Sequence, residues 1–277
     1  MCSDALAVCP SVGSTKARSL RRVFLSARWQ LLAMLNWNIE PSILEPLVPR
    51  GCELDFHGGK TFVTLVGFLF LDTRVLGVPV PLHRNFEEVN LRFYVRRTSG
   101  REVRRGVAFV KEMVPRWAIA QIARRCYNEP YVALPMAHEV TGPAAEMLGR
   151  FGVRVSGFRE TGGQGRGKVA YRWRFDKRWN SMEVQYAGER VPLVPGSHEE
   201  FITEHYFGYC GQCESGTIEY QVEHPPWNIW PAAAATLDVN VAALFGPQLA
   251  TVLLGQPTSA FLVDGSAVAL LRPSRIA

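Results

Sequence analysis

Residues 86 to 95, FEEVNLRFYV, constrain the fold more than any other part of the sequence. Apolar and polar residues alternate along this segment with a period of two, which is typical of a β-strand with one buried face. The apolar positions are Val89, Leu91, Phe93 and Val95. The polar row between them consists of Glu88, Asn90, Arg92 and Tyr94. Because alternate side chains of a strand share a face, the pattern predicts a strand with one apolar and one polar face.

Short strands are predicted along most of the chain, and few helices interrupt them. Strands are expected at residues 27–37, 52–56, 61–70, 102–113, 154–159, 168–175, 181–187 and 261–271, with two more flanking a turn near 211–216. Helices are expected after Pro115 with an apolar stripe over 117–126, at Ser197 with Glu200 as a capping box, and around 239–254. Strands and helices do not alternate regularly. The prediction is an α+β, mainly β fold, an antiparallel barrel with a few covering helices.

Length and charge narrow the classes of protein that the chain can belong to. Residues 25–277 are predicted to form one domain, and residues 1–24 a disordered N-terminal extension. The formal net charge is +6. Residues 1–30 carry five basic side chains against Asp4, a net +4, so the remainder is only +2. This distribution predicts no nucleic-acid partner.

Neither a membrane span nor a disulfide framework is predicted. The apolar run from Thr61 to Leu71 is too short to cross a bilayer as a helix. The six cysteines are irregularly spaced in a long chain, which favours a reducing, cytoplasmic location. An alternative is a zinc site whose ligands are Cys210, Cys213, His205 and His224. Because there is no second Cys-x-x-Cys pair, no metal site is predicted.

The polar row has two interpretations, and the sequence leaves both open. If the row faces solvent, Glu88 and Arg92 form an ordinary surface pair, and this interpretation is slightly favoured. If the row lines a closed interior, the same two charges compensate each other and make a site for a polar small molecule. A cluster of five arginines follows the row and is predicted to be a solvated hairpin tip. It consists of Arg96, Arg97, Arg101, Arg104 and Arg105.

Several motifs together resemble a known family. They are FEEVNLRFYV, RGVAFVKEMVPRWAIA, YNEPY, EEFITEHYFGY, HPPW and DGSAVALLR. Over roughly residues 25 to 273 the chain resembles the YqjF-like domain-of-unknown-function family of bacteria, and it is distantly similar to the acetoacetate decarboxylase superfamily. The second resemblance implies a barrel that encloses a pocket, in which a lysine forms a Schiff base with a β-keto acid.

The decarboxylase resemblance fails at the residue that would carry the chemistry. In residues 123–132, Arg124 and Pro130 match the family motif, but Tyr131 and Val132 stand where it has paired lysines. A Schiff base requires a primary amine, which neither side chain has. Lys111 is the weak alternative candidate for a catalytic lysine, although strand alternation explains it as a solvent-facing charge. Whether the protein is an enzyme is left open.

Three functions are therefore carried forward. The first is a protein that binds a small polar or carboxylate-bearing molecule without Schiff-base chemistry, through Glu88, Asn90 and Arg92, with Glu129 and Tyr131 at the pocket rim. The second is a decarboxylase-type lyase that uses Lys111. The third is a structural or partner-binding protein with a filled barrel. No cofactor and no membrane partner are expected, and a homo-oligomer is left open.

Overall fold

A computed structural model of the chain describes residues 23–81, 83–115, 130–153, 165–212 and 216–276. Several predictions fall on residues outside this described part. They are the extension over most of residues 1–24, the helix at 117–126, the strand at 154–159, Glu129 and Cys213. They stay predictions.

Strands dominate the described residues, as the alternating patterns predict. The first eight are β1 (Val23–Ile39), β2 (Glu53–Leu54), β3 (Thr61–Val75), β4 (Val78–Pro79), β5 (Phe86–Ser99), β6 (Glu102–Val114), β7 (Tyr131–Ala133) and β8 (Met136–Val140). The next eight are β9 (Gly167–Phe175), β10 (Arg178–Tyr186), β11 (Val191–Pro192), β12 (Phe207–Gly211), β13 (Thr217–Glu223), β14 (Asn228–Asp238), β15 (Ser259–Leu271) and β16 (Ser274–Ile276).

The central sheet closes on itself as a ring. Its strands follow in the order β15, β1, β3, β5, β6, β12 and β13, and β13 pairs with β15 to complete it. Neighbouring strands are antiparallel, except that β6 and β12 run parallel. The interior of the ring holds one apolar core, to which Met34, Val66, Phe68 and Phe261 belong.

A second layer covers part of the outer face of the ring. Strands β8, β9 and β10 continue the sheet from β14 and pack back over β1, β3 and β5. The core between the two layers includes Leu65 and Leu91 from the ring and Tyr171 and Trp173 from β9. Where the second layer covers them, β1, β3 and β5 are therefore buried on both faces, so polar side chains on either face need a partner.

The described helices are short and lie at the margins of the sheet. They are α1 (Pro41–Leu44), α2 (Pro143–Gly149), α3 (His198–Thr203), α4 (Val241–Phe245) and α5 (Pro247–Leu253), with a 3₁₀ turn at Glu45–Leu47. The predicted cap is confirmed, since the hydroxyl of Ser197 accepts a hydrogen bond from the Glu200 amide at 3.1 Å. The helix predicted around 239–254 is instead two helices, because Gly246 has a φ of 92° and Pro247 begins a new first turn.

Strand β14 was not predicted. Its sequence, NIWPAAAATLD, contains a proline and four consecutive alanines, which are residues of low strand propensity. Pro231 lies where the strand changes partner, from β15 over residues 229–231 to β10 over residues 232–238. A proline is tolerated at such a break because it lacks only the one backbone donor.

The predicted fold class is confirmed as a mainly β, antiparallel sheet with few helices, closed as a ring. No helix among the described residues is long and apolar enough to cross a membrane.

Candidate functional site

The polar row of β5 faces the interior of the ring. Glu88 is 3 % exposed and Asn90 is 2 % exposed. Strand alternation places Leu91 and Phe93 in the core between the two layers and turns the polar row inward, beside Val66 of β3. The slightly favoured surface interpretation of the row is therefore wrong. Burial is possible because closing the ring brings hydrogen-bond partners from other strands to these side chains.

A β-bulge on β6 decides which of its side chains reach this interior. Arg92 pairs with Phe109, but the register then shifts, so that Leu91 pairs with Lys111 and Asn90 with Glu112. Val110 is the extra residue. Because directly paired residues share a face, Phe109 and Glu112 face inward, whereas Lys111 faces the outer core.

Lys111 consequently lies outside the interior of the ring. It is partly buried rather than solvent-facing, its ammonium donates to the carbonyl of Leu244 in α4, and desolvation by burial lowers its pKa. The sequence contains five lysines, of which all but Lys16 are described. None of the four described lysines, Lys60, Lys111, Lys168 and Lys177, lines the interior cavity.

Tyr131 begins β7, which pairs in parallel with β6 at Glu112. This register carries the phenol towards the polar row, where it donates to Oε2 of Glu88 at 3.3 Å. The amide of Asn90 donates to Oε1 of Glu88 at 3.0 Å. Burial raises the pKa of Glu88 from 4.5 to about 7, while these two hydrogen bonds and the charge of Arg92 oppose the shift. Glu88 is therefore a carboxyl group that gains and loses its proton near neutrality.

Arg92 is the third residue of the polar row, and its guanidinium lies against two buried groups. Its guanidinium is 5.9 Å from the centre of the Tyr94 ring and donates to the carbonyl of Ile202 at 3.4 Å. The phenol of Tyr94 forms a 2.7 Å hydrogen bond with Thr64, whose hydroxyl donates to Asn36. These buried hydrogen bonds fix the orientation of the Tyr94 ring, against which the guanidinium of Arg92 lies.

His205 completes the polar end of the site. Its Nε2 lies 3.3 Å from Oδ2 of Asp55, which also accepts from Nε of Arg105 at 2.6 Å. Burial lowers the pKa of His205 to about 4, although the hydrogen bond to Asp55 opposes this shift. The imidazole is therefore neutral at pH 7. With Nε2–H donated to Asp55, its Nδ1 is left as an acceptor.

These residues line one cavity of about 250 Å³ inside the ring. The polar side chains of its wall include Glu88, Asn90, Arg92, Glu112, Tyr131 and His205, and Thr73 and His83 also line it. Most of the remaining wall is apolar and includes Trp29, Phe68, Phe70, Phe86, Val107 and Phe109. Oδ1 of Asn90, Nε of Arg92 and Nδ1 of His205 are buried and have no hydrogen-bond partner within the described part of the chain. Such groups are costly to leave unsatisfied, so they mark where a ligand or ordered water is bound.

Of the predicted site residues, Glu88, Asn90, Arg92 and Tyr131 come together in this cavity, and Glu129 lies outside the described residues. Sequence reasoning missed Glu112 and His205 as members of the site. Glu112 is hidden by the bulge, since an unbroken hairpin register would place Lys111 opposite Asn90. His205 follows α3 and carries no local motif that indicates its orientation.

The zinc alternative is not assembled in the described part of the chain. His205 is engaged by Asp55, and the ring of His224 stacks on Trp227 at 3.8 Å between centroids. No group of three or more His, Cys, Asp or Glu side chains suited to a metal occurs within the described residues, and Cys213 lies outside them.

The predicted hairpin tip is only partly solvated. Arg97 and Arg104 both donate to the buried carboxylate of Glu219, at 3.1 and 2.6 Å. Arg105 bonds to Asp55, whereas Arg96 and Arg101 are exposed. The solvated interpretation is wrong for Arg97 and Arg104, because the ring brings the buried carboxylate of Glu219 from β13 to their side chains. Arg105 also bonds to a buried carboxylate, but its own side chain stays 41 % exposed.

Comparison with known proteins gives three kinds of similarity. A model of the family DUF2071, described as "Uncharacterized conserved protein", matches residues 26–266. The "Uncharacterized protein YqjF" of Bacillus subtilis is 28% identical over 123 residues, which are 44% of this chain and 49% of that protein. The chain thus spans about half the length of this curated relative.

Solved structures of enzymes share the fold at low sequence identity. The enduracididine biosynthesis enzyme MppR complexed with pyruvate has a TM-score of 0.60 at 12% identity, covering 95% of this chain and 93% of that one. The acetoacetate decarboxylase of Legionella pneumophila has a TM-score of 0.59 at 10% identity, covering 96% and 93%. At this identity the likeness establishes the fold alone.

Proposed function

The chain belongs to the DUF2071 family of uncharacterized conserved proteins, and we propose that it binds a small carboxylate-bearing molecule in the cavity of the ring without Schiff-base chemistry. The observation that carries the proposal is the buried, unsatisfied Nε of Arg92 beside a cavity of about 250 Å³. A guanidinium is suited to a carboxylate because its donors lie in a fixed planar fork.

Arg92 and a protonated Glu88 support this ligand class, whereas Glu112, the second carboxyl group of the wall, opposes it when ionised. Glu88 lies on the same strand as Arg92, and its pKa of about 7 lets it be protonated when a second carboxylate enters. Neutral Glu88 then adds a hydrogen-bond donor rather than a repelling charge. The fold agrees, since the MppR structure named above holds pyruvate, itself a small carboxylate.

Two observations argue against the alternatives. Schiff-base formation by Lys111 is disfavoured because the bulge turns its ammonium into the outer core and no described lysine lines the cavity. A filled ring is disfavoured because a cavity with unsatisfied polar atoms lies inside it. The cytoplasmic location stays a prediction, and the oligomeric state stays open.

The test is a titration of the purified protein with butyrate and with lactate, followed by NMR shift changes of the cavity residues. Arg92→Met is expected to weaken binding at least tenfold, because it removes the guanidinium and leaves a chain of similar length. Arg96→Met is the matched control, since Arg96 lies on the same strand but is exposed and bonds to Glu53 outside the cavity. Equal affinities of the Arg92→Met variant and the unaltered protein would overturn the proposal.

Borohydride trapping tests the Schiff-base alternative directly. Protein incubated with acetoacetate and sodium borohydride is expected to show no mass increase on any peptide that contains a lysine. A reduced adduct on any of the five lysines would contradict the second half of the proposal.

A further inference from the structure

We infer that the ligand is a hydroxy acid with an apolar body of roughly aromatic size, a proposal that rests on and refines the carboxylate binding proposed above. The inference combines the kinds of polar atoms left unsatisfied at one end of the cavity with the apolar wall beside them. Each of the two observations specifies one part of the ligand.

The unsatisfied polar atoms specify the head of the ligand. In the polar row and at His205, the unsatisfied atoms are Nε of Arg92, a donor, and Oδ1 of Asn90 and Nδ1 of His205, both acceptors. Nε1 of Trp29 and Oγ1 of Thr73 also line the cavity without a partner among the described residues. The assignment of Asn90 follows from its amide nitrogen, which donates to Glu88 at 3.0 Å, and that of His205 from Nε2, which faces Asp55. A carboxylate alone offers only acceptors. A head that satisfies both kinds of atom must also carry a donor, and a hydroxyl group beside the carboxylate supplies one.

The position of the apolar wall specifies the body. Phe68 pairs with Glu88 across β3 and β5, two residues from the partner of Asn90, so it lies directly beside the polar row. Trp29 packs edge-on against Phe68 and Phe70, with ring centroids 5.3 and 5.7 Å apart. These aromatic side chains line the same cavity as Arg92. A ligand whose head is at Arg92 therefore extends its body along an aromatic wall.

The volume limits the size of that body. About 250 Å³ corresponds to roughly eight water molecules at their share of liquid volume. This is below the range of drug-sized pockets, which begins at about 300 Å³. A single ring or a short branched chain fits within this volume.

The test compares four compounds on the unaltered protein by calorimetry: 3-phenyllactate, lactate, 3-phenylpropanoate and 3-phenylpropane-1,2-diol. We expect 3-phenyllactate to bind at least tenfold more tightly than lactate, since each buried methylene equivalent is worth about fourfold in affinity. It is also expected to bind at least fivefold more tightly than 3-phenylpropanoate, which lacks the hydroxyl donor. The diol, which lacks the carboxylate, is expected to bind most weakly of the three phenyl compounds.

The outcomes separate this inference from the proposed function. Equal binding of 3-phenyllactate and lactate would overturn the apolar body, and equal binding of 3-phenyllactate and 3-phenylpropanoate would overturn the hydroxyl, while carboxylate binding would stand in both cases. A diol that binds as tightly as 3-phenyllactate would overturn the proposed carboxylate site, whereas the binding of an apolar body in the cavity would stand. Failure of all four compounds to bind would overturn both.

A pair of variants locates the body in the structure. Phe68→Ala is expected to remove most of the advantage of 3-phenyllactate over lactate. Phe62→Ala is the matched control, because Phe62 is equally buried on the same strand and in the same interior core but does not line the cavity. If the Phe68→Ala variant still binds 3-phenyllactate as much more tightly than lactate as the unaltered protein does, the ligand body does not lie against Phe68. If that variant does not fold, the four-compound comparison still decides the inference.

Discussion

The phenol of Tyr131 donates a hydrogen bond to Oε2 of Glu88 at 3.3 Å, across the intervening strand β6. Tyr131 is the residue that stands where the decarboxylase resemblance implies a lysine. In this chain it is therefore one of the groups that influence the ionisation of a buried carboxyl group, and it has no amine. Hydrogen bonding by the phenol favours the ionised form of Glu88 and opposes the upward pKa shift caused by burial.

The first prediction concerns this hydrogen bond. Tyr131→Phe is expected to raise the pKa of Glu88 further above about 7, by about one unit, which is the scale of a hydrogen bond to a charged group. Infrared titration of the protonated carboxyl stretch measures the shift. Tyr186→Phe, a change in the outer sheet far from Glu88, serves as the control. An unchanged midpoint in Tyr131→Phe would show that the hydrogen bond has no electrostatic effect.

The second prediction concerns stability as a function of pH. Because burial raises the pKa of Glu88 from 4.5 to about 7, its carboxyl contributes stability that is fully present below pH 4.5 and is lost as the pH rises through about 7. Glu88→Gln lacks this titration. The free energy of unfolding of Glu88→Gln, relative to the unaltered protein, is therefore expected to increase by about 3 kcal/mol from acid to alkaline pH. Urea unfolding at several pH values measures it, and a constant difference would contradict the assignment.

The third prediction concerns ligand affinity. Above a pH of about 7, Glu88 carries a negative charge near Arg92, so affinity for 3-phenyllactate is expected to fall by up to about tenfold per pH unit. In Glu88→Gln the affinity is expected to stay flat over the same range. Calorimetry between pH 6 and pH 9 makes the comparison. A decline of equal slope in both proteins would assign the effect to another group.

The fourth prediction concerns the contact between the two layers. A Cβ on Gly67 would lie 2.4 Å from Cδ2 of Tyr171, a fully buried ring whose hydroxyl donates to the carbonyl of Leu31 at 2.8 Å. Gly67→Ala is therefore expected to destabilise the protein by about 2 kcal/mol or more. Thermal unfolding measures the effect.

Gly149→Ala is the control for the same substitution where space is available. A Cβ at Gly149, the last residue of α2, meets no atom within 4 Å. This change is expected to be neutral or slightly stabilising, because alanine is a better helix former than glycine by up to about 1 kcal/mol. Equal destabilisation by both substitutions would show that the close approach to Tyr171 is not the cause.

The sequence predicted the strand that carries the site but not the direction of its polar face. The alternation from Val89 to Val95 is unambiguous, and it indicates β5 correctly. Glu88 and Asn90 are equally compatible with solvent or with a closed interior, because their burial depends on partners from distant strands. Tyr131 arrives from β7, and His205 arrives after α3. These residues are distant in sequence from β5, so no local sequence pattern predicts their contacts.

The bulge on β6 is the second limit on prediction from sequence. Counting back from the turn at Gly100 and Arg101 in an unbroken hairpin places Lys111 opposite Asn90, which makes a lysine in the pocket plausible. The extra residue, Val110, exchanges Lys111 for Glu112 at that position. One residue of register therefore separates a cavity with an amine from a cavity with a second carboxyl group. Strand propensities do not indicate where such a bulge falls.

The way in which the ring closes determines where its interior opens most easily to the solvent. Strands β13 and β15 meet at only two residue pairs, Val222 with Leu270 and Glu223 with Ala269, whereas β1 and β15 pair over twelve positions. Val222 and Leu270 both line the cavity. Among the strand pairs that form the ring, the pair of β13 and β15 breaks the fewest backbone hydrogen bonds when it separates, so this seam is where the ring opens most easily. In a hydrogen-exchange experiment, the backbone amides of β13 at this seam are expected to exchange faster than those of the other strands of the ring.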